Sequence, residues 1–495
     1  MPTPAGPWRP VQTTAPPPPP ADVRLRPAGW RRRRRTVVAT VALLAVTAAG
    51  GAGVLTARQL DRRHATPAEA ASPGSRRGPA ATATRPAAPL PPRLLVVGSH
   101  PAGAALTITT PGGATRKART PFKGMVPGGE LTLSLARPGF NRLDHRLLLD
   151  RARTLDFWLD PAGLLHHCLG GFSTGSNPKQ VAFTPDSKQI WVTLLGGHGV
   201  QVFSAGSRRL LHQIRLGKHG AVEVIFTKDG RTAFASQMET ASVFEIDRAS
   251  FRVRRQLATK GSWSKVMALS PDERTLYVAN WSSNDVSEID LASGRVRRVL
   301  RTVPTPRGLY PTPDGRRLYV AGFDGGDLAR IDLGTGRSKV LLHTGGAMRH
   351  LVGDPARGLL YADDMAAGQT WVVDLASERV RRHARTDHTP NTIDLSPDGR
   401  VLYVSNRGRN GTSYYLPGPE WGSVLAIDAA SGRPLDAIVG GNQTTGLDVS
   451  PDGRLLAFSD FLDNRVQLFA IPPYQRLATG HGGRATAHRA ELQKG

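Results

Sequence analysis

From residue 164 onward, the chain repeats one pattern of short stretches in which apolar and polar positions alternate, separated by turns rich in Gly, Asp and Pro. The stretch after each turn has an aromatic residue at its centre, which recurs every 42 or 43 positions at Trp191, Phe234, Tyr277, Tyr319, Tyr361 and Tyr403. A seventh copy has Ala457 in this place, 54 positions further on, because the sixth repeat carries 12 additional residues. A period of two indicates strands, so each repeat predicts a small β-sheet.

Two polar signals mark the ends of the strands within each repeat. A turn such as Pro313-Asp314-Gly315 precedes the aromatic stretch, and these residue types supply the backbone angles that the turn needs. The next stretch ends on an aspartate, at Asp247, Asp290, Asp332, Asp374 and Asp428. With a weaker fourth stretch, such as residues 295–300, each repeat makes a four-stranded sheet that cannot bury both faces alone. The pattern therefore predicts a seven-bladed β-propeller over residues 164–479.

The sequence leaves open which strand closes this ring. Residues 164–169 could supply the outer strand of the last blade, and residues 474–478 could do the same. Residues 480–495 are predicted to be a disordered tail.

The aromatic stretches read LYVAN, LYVAG, LLYAD and LYVSN, and they follow turns of the S/T-P-D-G type. In these motifs, residues 164–472 resemble the YVTN family of bacterial β-propellers, which is similar to WD-type and lactonase propellers. The resemblance implies the propeller fold and says little about activity, because fold does not set function.

A shorter segment, residues 93–160, also alternates in short runs, at 94–97, 105–109, 131–135, 146–149 and 155–159. Five strands of this length predict a small β-sandwich. The segment resembles the PEGA domain, an extracytoplasmic β-sandwich, in Ser99-x-Pro101-x-Gly103-Ala104, Thr120-Pro121-Phe122, Val126-Pro127-Gly128 and Arg137-Pro138-Gly139-Phe140. The resemblance implies an adhesion or spacer role at the cell envelope, with no catalytic residue.

The N-terminal part of the chain predicts that the protein is anchored in a membrane. Residues 1–35 are Pro-rich and end in Arg31–Arg35, and they are predicted to be a disordered cytoplasmic tail. Residues 36–57 carry no charge and are long enough for one transmembrane helix. A linker rich in Ala and Pro follows at residues 58–92. We expect a single-pass protein of the cell membrane with its all-β domains outside the cytoplasm. A cleaved secretory signal and a non-membrane segment are the alternatives.

Charge narrows the class of partner. Lys and Arg number 65 against 39 Asp and Glu, a net charge of +26. Residues 93–495 keep 51 basic against 36 acidic residues, so the folded part is itself basic. Such a surface favours an anionic envelope polymer, peptide or protein partner, while a merely soluble basic surface is the alternative. Nucleic acid fits poorly with an outside location. The single cysteine, Cys168, excludes an internal disulfide and a cysteine-based zinc site.

One position in the repeat concentrates this charge. Seven residues before the turn aspartate or its equivalent stand Lys179, Val222, Lys265, Arg307, Arg349, Asn391 and Thr445. The loop that enters the innermost strand of a blade faces one mouth of the channel, so these residues are predicted to converge into a positive funnel. Glu223 and His350 stand one residue further on. Coincidence in a chain rich in Arg and Lys is the alternative.

The additional residues of the sixth repeat lie within residues 407–421, in a loop on the same mouth. Their side chains are of the types that dominate binding surfaces, at Arg407, Arg409, Tyr414, Tyr415 and Trp421. A longer loop whose aromatic rings cover an edge is the alternative. The predicted ligand-binding set is Lys179, Lys265, Arg307, Arg349, His350, Asn391, Arg407, Tyr414, Tyr415 and Trp421.

No motif of a known catalytic site occurs in the chain, and the sequence assigns no catalytic residue, metal or cofactor. Asp394 and Asp448 occupy matching places in adjacent repeats, where hydrogen bonds to neighbouring backbone are expected rather than metal binding. Two hypotheses remain: a membrane-anchored binding or scaffold protein, and a lactonase-like or other hydrolytic enzyme at the same mouth.

Overall fold

The computed structural model describes residues 90–110, 112–480 and 483–494. The predicted tail at 1–35, the predicted span at 36–57 and nearly all of the predicted linker at 58–92 lie outside these residues. Among the residues that are described, no helix has both the length and the apolar character needed to cross a bilayer.

The first part of the described chain is a β-sandwich. Its strands are β1 (Arg93–His100), β2 (Ala105–Thr109), β3 (Thr115–Arg119), β4 (Phe122–Val126), β5 (Gly129–Ala136), β6 (Leu143–Leu149) and β7 (Arg153–Trp158). They form the sheets β4-β1-β7 and β3-β2-β5-β6. Alternate residues of β1, β2 and β5 point inward, so that Leu95, Ile108 and Leu133 are fully buried between the sheets.

Strands β3 and β4 were missing from the sequence prediction. In β3, no side chain is buried and three of five residues are basic, so the strand has no alternation of buried and exposed positions. It is an edge strand that pairs only with β2, from Ala105 opposite Arg119 to Thr109 opposite Thr115. In β4, Gly124 interrupts the apolar pattern.

A separate strand, β8 (His167–Ser173), precedes a series of four-stranded antiparallel sheets. The strands of the first four sheets are β9 (Pro178–Phe183), β10 (Gln189–Leu194), β11 (Gly199–Ser204), β12 (Leu210–Ile214); β13 (Val224–Phe226), β14 (Thr232–Gln237), β15 (Ser242–Asp247), β16 (Val253–Ala258); β17 (Ser264–Leu269), β18 (Thr275–Asn280), β19 (Asp285–Asp290), β20 (Arg295–Arg301); and β21 (Pro306–Pro311), β22 (Arg317–Gly322), β23 (Gly325–Asp332), β24 (Ser338–Gly346).

The series continues to the end of the repeats. The remaining strands are β25 (Met348–Asp354), β26 (Leu359–Asp364), β27 (Gln369–Asp374), β28 (Val380–Arg385); β29 (Pro390–Leu395), β30 (Val401–Asn406), β31 (Ser423–Asp428), β32 (Pro434–Val439); and β33 (Thr444–Val449), β34 (Leu455–Asp460), β35 (Arg465–Ala470). Two helices follow, α1 (Tyr474–Thr479) and α2 (Gly483–Leu492).

The first strands of successive sheets contact one another in the order β9, β13, β17, β21, β25, β29 and β33, and β33 contacts β9 again. The sheets therefore surround a common axis, which is the arrangement of a β-propeller. The last sheet has the order β33-β34-β35-β8, in which Ala470 pairs with His167 and Arg465 with Ser173. The N-terminal strand thus closes the ring. The alternative segment at 474–478 lies in α1, outside the sheet.

The repeat signals have the structural roles that their chemistry predicts. The repeated aromatic residues Trp191, Tyr319, Tyr361 and Tyr403 are completely buried between neighbouring sheets. The strand-end aspartates close hairpins: Asp290 Oδ1 accepts hydrogen bonds from the backbone N–H and the hydroxyl of Ser293, at 2.8 and 2.7 Å.

The prediction of a disordered tail at 480–495 is wrong for the described residues 483–494, which contain α2. Ala485, His488 and Leu492 are buried against the propeller, and His488 Nε2 lies 2.7 Å from Asp387 Oδ2. Sequence patterning missed this helix because a buried histidine bonded to an aspartate takes the place of an apolar residue on its inner face.

One buried carboxylate fastens the closing segment. Asp436 Oδ2 accepts hydrogen bonds from the backbone N–H groups of Leu165 and His166, at 2.9 and 3.0 Å, and lies 2.7 Å from His166 Nδ1. Both side chains of this pair are fully buried. Nearby, Asp160 of the sandwich accepts the backbone N–H of Cys168 at 2.7 Å and contacts the imidazole of His167. These contacts join the sandwich to the seam of the ring.

We predict that Asp436→Ala lowers the free energy of unfolding by about 3 kcal/mol, because it leaves two backbone donors and an imidazole buried without their acceptor. Urea unfolding followed by tryptophan fluorescence measures the change. The exposed turn variant Asp398→Ala serves as control, with an expected loss of about 1 kcal/mol or less. Equal losses in the two variants would contradict a special role for Asp436 in closure.

Candidate functional site

The predicted cationic positions are structurally equivalent. Each is the second residue of an innermost strand, with Lys179 in β9, Lys265 in β17, Arg307 in β21 and Arg349 in β25. Asn391 and Thr445 hold the same place in β29 and β33. A small cavity of about 20 Å³ on the axis is lined by Lys179, Val222, Glu223, Arg307, Arg349, His350 and Asn391. The structure therefore brings the predicted residues together; what they bind stays a prediction.

Arg407 joins these residues from the start of the insertion. With Lys179, Lys265, Arg307 and Arg349 it forms what we call the cation cluster. Arg349 is 5% exposed and Arg407 is 2% exposed, and the Nε atom of each is buried without a hydrogen-bond partner among the described residues. Arg349 Nη1 reaches only a sulfur, Met365 Sδ, at 3.8 Å. Arg407 Nη2 donates to Gln443 Oε1, but buried guanidinium groups normally have all their donors paired, so the two Nε atoms lack acceptors among the described residues.

Burial and mutual repulsion act together on the cluster. Loss of water lowers the pKa of Lys179 and of Lys265 well below the usual lysine value, and the positive charges of Arg307 and Arg349 lower both further. Burial also lowers the pKa of Arg349, with neighbouring Arg307 next in effect. Each cation thus makes its neighbours less stable in the charged form. An added anion would relieve this cost for every member at once.

Two carboxyl groups lie beside the cluster, and neither compensates it fully. Burial raises the pKa of Glu223 to about 7 despite the opposing charges of Arg307 and Arg349, and Glu223 Oε2 accepts the backbone N–H of Met267 at 3.2 Å. Burial raises the pKa of Asp363 to about 6, against the charge of Arg349. Near neutral pH the two carboxyl groups therefore carry less than two full negative charges beside the five basic side chains.

His350 and Asn391 complete the floor of the site. Burial, with the charge of Arg349 next, lowers the pKa of His350 to about 3, so its ring is neutral at physiological pH. Its Nδ1 atom and Asn391 Oδ1 are both buried without a partner among the described residues. Asn391 Nδ2 is held by the carbonyl of Thr445 at 2.8 Å. The floor offers polar groups that the described protein does not satisfy itself.

The insertion loop lies over part of this floor. Lys179 Nζ donates to Tyr414 Oη at 2.8 Å, and the guanidinium of Arg407 stands 4.3 Å from the centre of the Tyr414 ring. Gln443 Nε2 fixes the loop by donating to the backbone carbonyl of Tyr414 at 2.9 Å. Tyr414 and Tyr415 also pack edge-on, 5.2 Å apart, and remain 37% and 43% exposed. Both tyrosines therefore present exposed ring surface on the sixth- and last-sheet side of the mouth.

Arg409 and Trp421 lie apart from the cluster. Arg409 Nε pairs with Glu420 Oε1 at 3.2 Å, and the Trp421 ring carries Lys494 Nζ at 4.5 Å from its centre. The backbone N–H of Trp421 donates to the backbone carbonyl of Leu492 at the end of α2, at 2.8 Å. In the sequence prediction all residues of the insertion faced the mouth, but this end of it instead anchors the C-terminal segment.

Sequence reasoning missed a second ring of residues at the mouth. Directly after the second strand of each sheet stands a large side chain: Leu195, Met238, Trp281, Phe323, Met365, Arg407 and Phe461. We call this set the collar. Its backbone geometry repeats, since Trp281 N–H donates to the carbonyl of Trp263 at 3.1 Å as Phe323 does to Thr305. The collar follows the same spacing as the buried aromatics, 42 or 43 residues and then 54 across the insertion, and so could have been found from sequence.

Two arginines of another groove and two other aspartates are paired or hydrogen-bonded within the protein. A wider groove of about 730 Å³ lies between the third and fourth sheets, but its Arg297 and Arg298 pair with Asp290 and Glu288. Asp394 and Asp448 accept backbone N–H groups of neighbouring strands, from Val449 at 2.8 Å and Phe183 at 2.6 Å, as predicted. Among the described residues, no group of three or more His, Cys, Asp or Glu side chains could hold a metal ion.

Fold and site together define a β-propeller with a cationic channel mouth, preceded by a β-sandwich. The chain is 32% identical over 354 residues to antigen Lp49 of Leptospira interrogans, a match that covers 69% of this chain and 77% of the relative. The chain belongs to the antigen Lp49 family. No protein-family model matches it.

A solved structure agrees on the fold. Hydrazine synthase of Kuenenia stuttgartiensis superposes with a TM-score of 0.53 at 18% sequence identity, over 61% of this chain and 97% of that one. At this identity the likeness concerns the propeller architecture alone.

We predict that α2 holds the insertion loop in place, because Lys494 N–H donates to the carbonyl of Pro419 and Lys494 Nζ to that of Gly418, at 3.0 and 2.8 Å. A chain ending at Gly480 should be cut by trypsin after Arg409 about tenfold faster, since local opening becomes cheaper. Timed digestion with mass spectrometry measures the rate. Lys228 in a distant turn is the control site. An unchanged rate after Arg409 would show that the loop holds itself.

Proposed function

We propose that this protein is a membrane-anchored binding or scaffold protein outside the cytoplasm, and that its propeller mouth binds an anionic ligand or partner protein. The observation that carries the proposal is the cation cluster, in which buried Arg349 and Arg407 keep guanidinium nitrogens without acceptors. A cluster of like charges taken out of water costs free energy, and a bound opposite charge recovers it while the cations keep their protons. An anionic group on the axis would meet Lys265, Arg307 and Arg349 together.

The wider architecture supports the same role. We propose that the sheets form seven blades of the YVTN type, with a PEGA-like sandwich as spacer and one N-terminal span as anchor. The predicted span lies next to five consecutive arginines, which favours a cytoplasmic N-terminus.

A second candidate is a hydrolytic enzyme at the same mouth. Glu223 favours it, because a buried carboxyl with a pKa of about 7 beside arginines is poised for general acid–base work. Hydrolysis of a panel of aryl esters and lactones by the full-length protein, lost in Glu223→Gln, would support this activity. Equal turnover by wild type and variant would remove it.

For the binding function, we predict that replacing Lys265, Arg307 and Arg349 by Gln weakens binding of dextran sulfate by about 100-fold, as expected for three lost contacts of about 1 kcal/mol each. Calorimetry with the full-length protein in detergent measures the affinity. The variants remove buried charge rather than add it, so the fold should tolerate them.

The matched control replaces Arg295, Arg337 and Arg379 by Gln. These arginines are exposed near the start of the outermost strands of three neighbouring sheets, so net charge falls by the same amount far from the axis. We expect a change of about threefold or less from this general charge effect. If both triple variants lose affinity equally, the mouth is not the binding site.

The pH dependence has a definite sign. Below about pH 7 the Glu223 carboxyl is protonated, and above it the ionised group adds a negative charge beside the cations, so affinity for dextran sulfate should fall as pH rises. Stability should fall in the same direction between about pH 4.5 and 7, because the unfolded chain releases this proton earlier.

Glu223→Gln should flatten the part of this fall centred near pH 7; what remains comes from Asp363, whose pKa burial raises to about 6, and from Lys179 and Lys265, whose pKa values are lowered. Titrations at several pH values in one ionic strength compare the two proteins. A variant with an unchanged profile would show that Glu223 does not face the bound anion.

A further inference from the structure

Three aromatic rings stand on one side of the mouth, where the proposed anion contact makes no use of them. Trp281 and Phe323 belong to the collar, with ring centres 4.9 Å apart, and Trp263 lies on the loop that enters the third sheet. Lys265 Nζ stands 3.5 Å from the centre of the Trp281 ring and 5.7 Å from that of Trp263. The guanidinium of Arg307 lies 5.7 Å from Trp281. Flat apolar faces and two cations therefore border the same space.

Trp263 places an indole at a turn position that several repeats share. Its φ is 58°, in the left-handed region that favours Gly or Asn, and its side chain is 38% exposed. The equivalent residues Asn177, Thr305, Thr389 and Gln443 have φ between 45° and 58°, so this backbone conformation belongs to the repeat. Those four side chains are polar, whereas the indole of Trp263 leaves apolar surface in water, as is typical of binding sites.

The insertion loop leaves this side uncovered. Tyr414 contacts Lys179 of the first sheet and Arg407 of the sixth, and both tyrosines of the loop pack against Phe461 of the last sheet. Trp263 and Trp281 belong to the third sheet and stay partly exposed. A ligand can therefore reach the cluster past the tryptophans.

We infer that the mouth binds an acidic carbohydrate, whose sugar ring packs on Trp263 while its anionic group meets Lys265 and Arg307. This inference rests on the proposed function and names its ligand class. The C–H groups on one face of a pyranose match the negative face of an indole, and a carboxylate or sulfate matches a guanidinium fork. An acidic peptide offers the charge without the flat ring.

The decisive experiment compares four small probes by calorimetry on the full-length protein in detergent: trigalacturonate, a sulfated heparin trisaccharide, neutral maltotriose and triglutamate. The variants Trp263→Asn and Trp281→Leu copy Asn177 and Leu195, the residues at the equivalent places of the first repeat. Leu195→Met, at the collar position of the first sheet, is the control, and thermal unfolding confirms that each variant is folded.

We expect at least one acidic trisaccharide to bind about tenfold more tightly than triglutamate, and each tryptophan variant to lose about tenfold for that sugar alone, as for loss of one stacked ring. The two acidic sugars decide between carboxylate and sulfate. If the tryptophan variants bind the sugars as wild type does, or if triglutamate binds equally well, the carbohydrate inference is wrong while anion binding stands. If the triple glutamine variant of Lys265, Arg307 and Arg349 also binds every probe unchanged, both proposals fail.

Discussion

The structure depends on closure of its ring of sheets. Each four-stranded sheet buries its faces only against its two neighbours, so the aromatic residues at Trp191, Tyr319 and Tyr403 are buried only when every neighbour is present. Strand β8, from the start of the propeller, completes the last sheet as its outermost strand beside β35. Asp436 secures the approach to that strand by accepting the backbone donors of Leu165 and His166.

The same symmetry creates the site. Because each repeat places its second inner-strand residue next to the axis, one choice of residue type is multiplied around the mouth. Four of the sheets each contribute one lysine or arginine at such a place, and Arg407 lies beside them. The ring therefore concentrates buried positive charge that is costly without a bound anion. The collar repeats a second feature of the unit, a large side chain directly after the second strand, so that large side chains surround the charge. Charge and shape thus follow from two positions of a repeating unit.

Much of this could be predicted from sequence, because a repeat multiplies weak signals. The spacing of residues such as Tyr319 and Tyr361 predicted the sheets, and the position of Arg349 relative to its turn predicted its place at the mouth. Features that occur once were harder. Helix α2 uses a histidine–aspartate contact in place of an apolar face, and β3 is an exposed basic edge. The left-handed backbone at Trp263 could not be predicted from sequence, because tryptophan is a residue type that normally avoids this conformation.

The sandwich and the propeller share a mechanical joint. Asp160, just past the last strand of the sandwich, holds the backbone of Cys168 within the closing strand β8. Any tension applied through the N-terminal side therefore reaches the one strand whose loss opens the ring. The side chains of Asp160 and Asp436 both bind residues at or just before the start of β8. Tension must therefore break the hydrogen bonds of both aspartates before it separates β8 from β35.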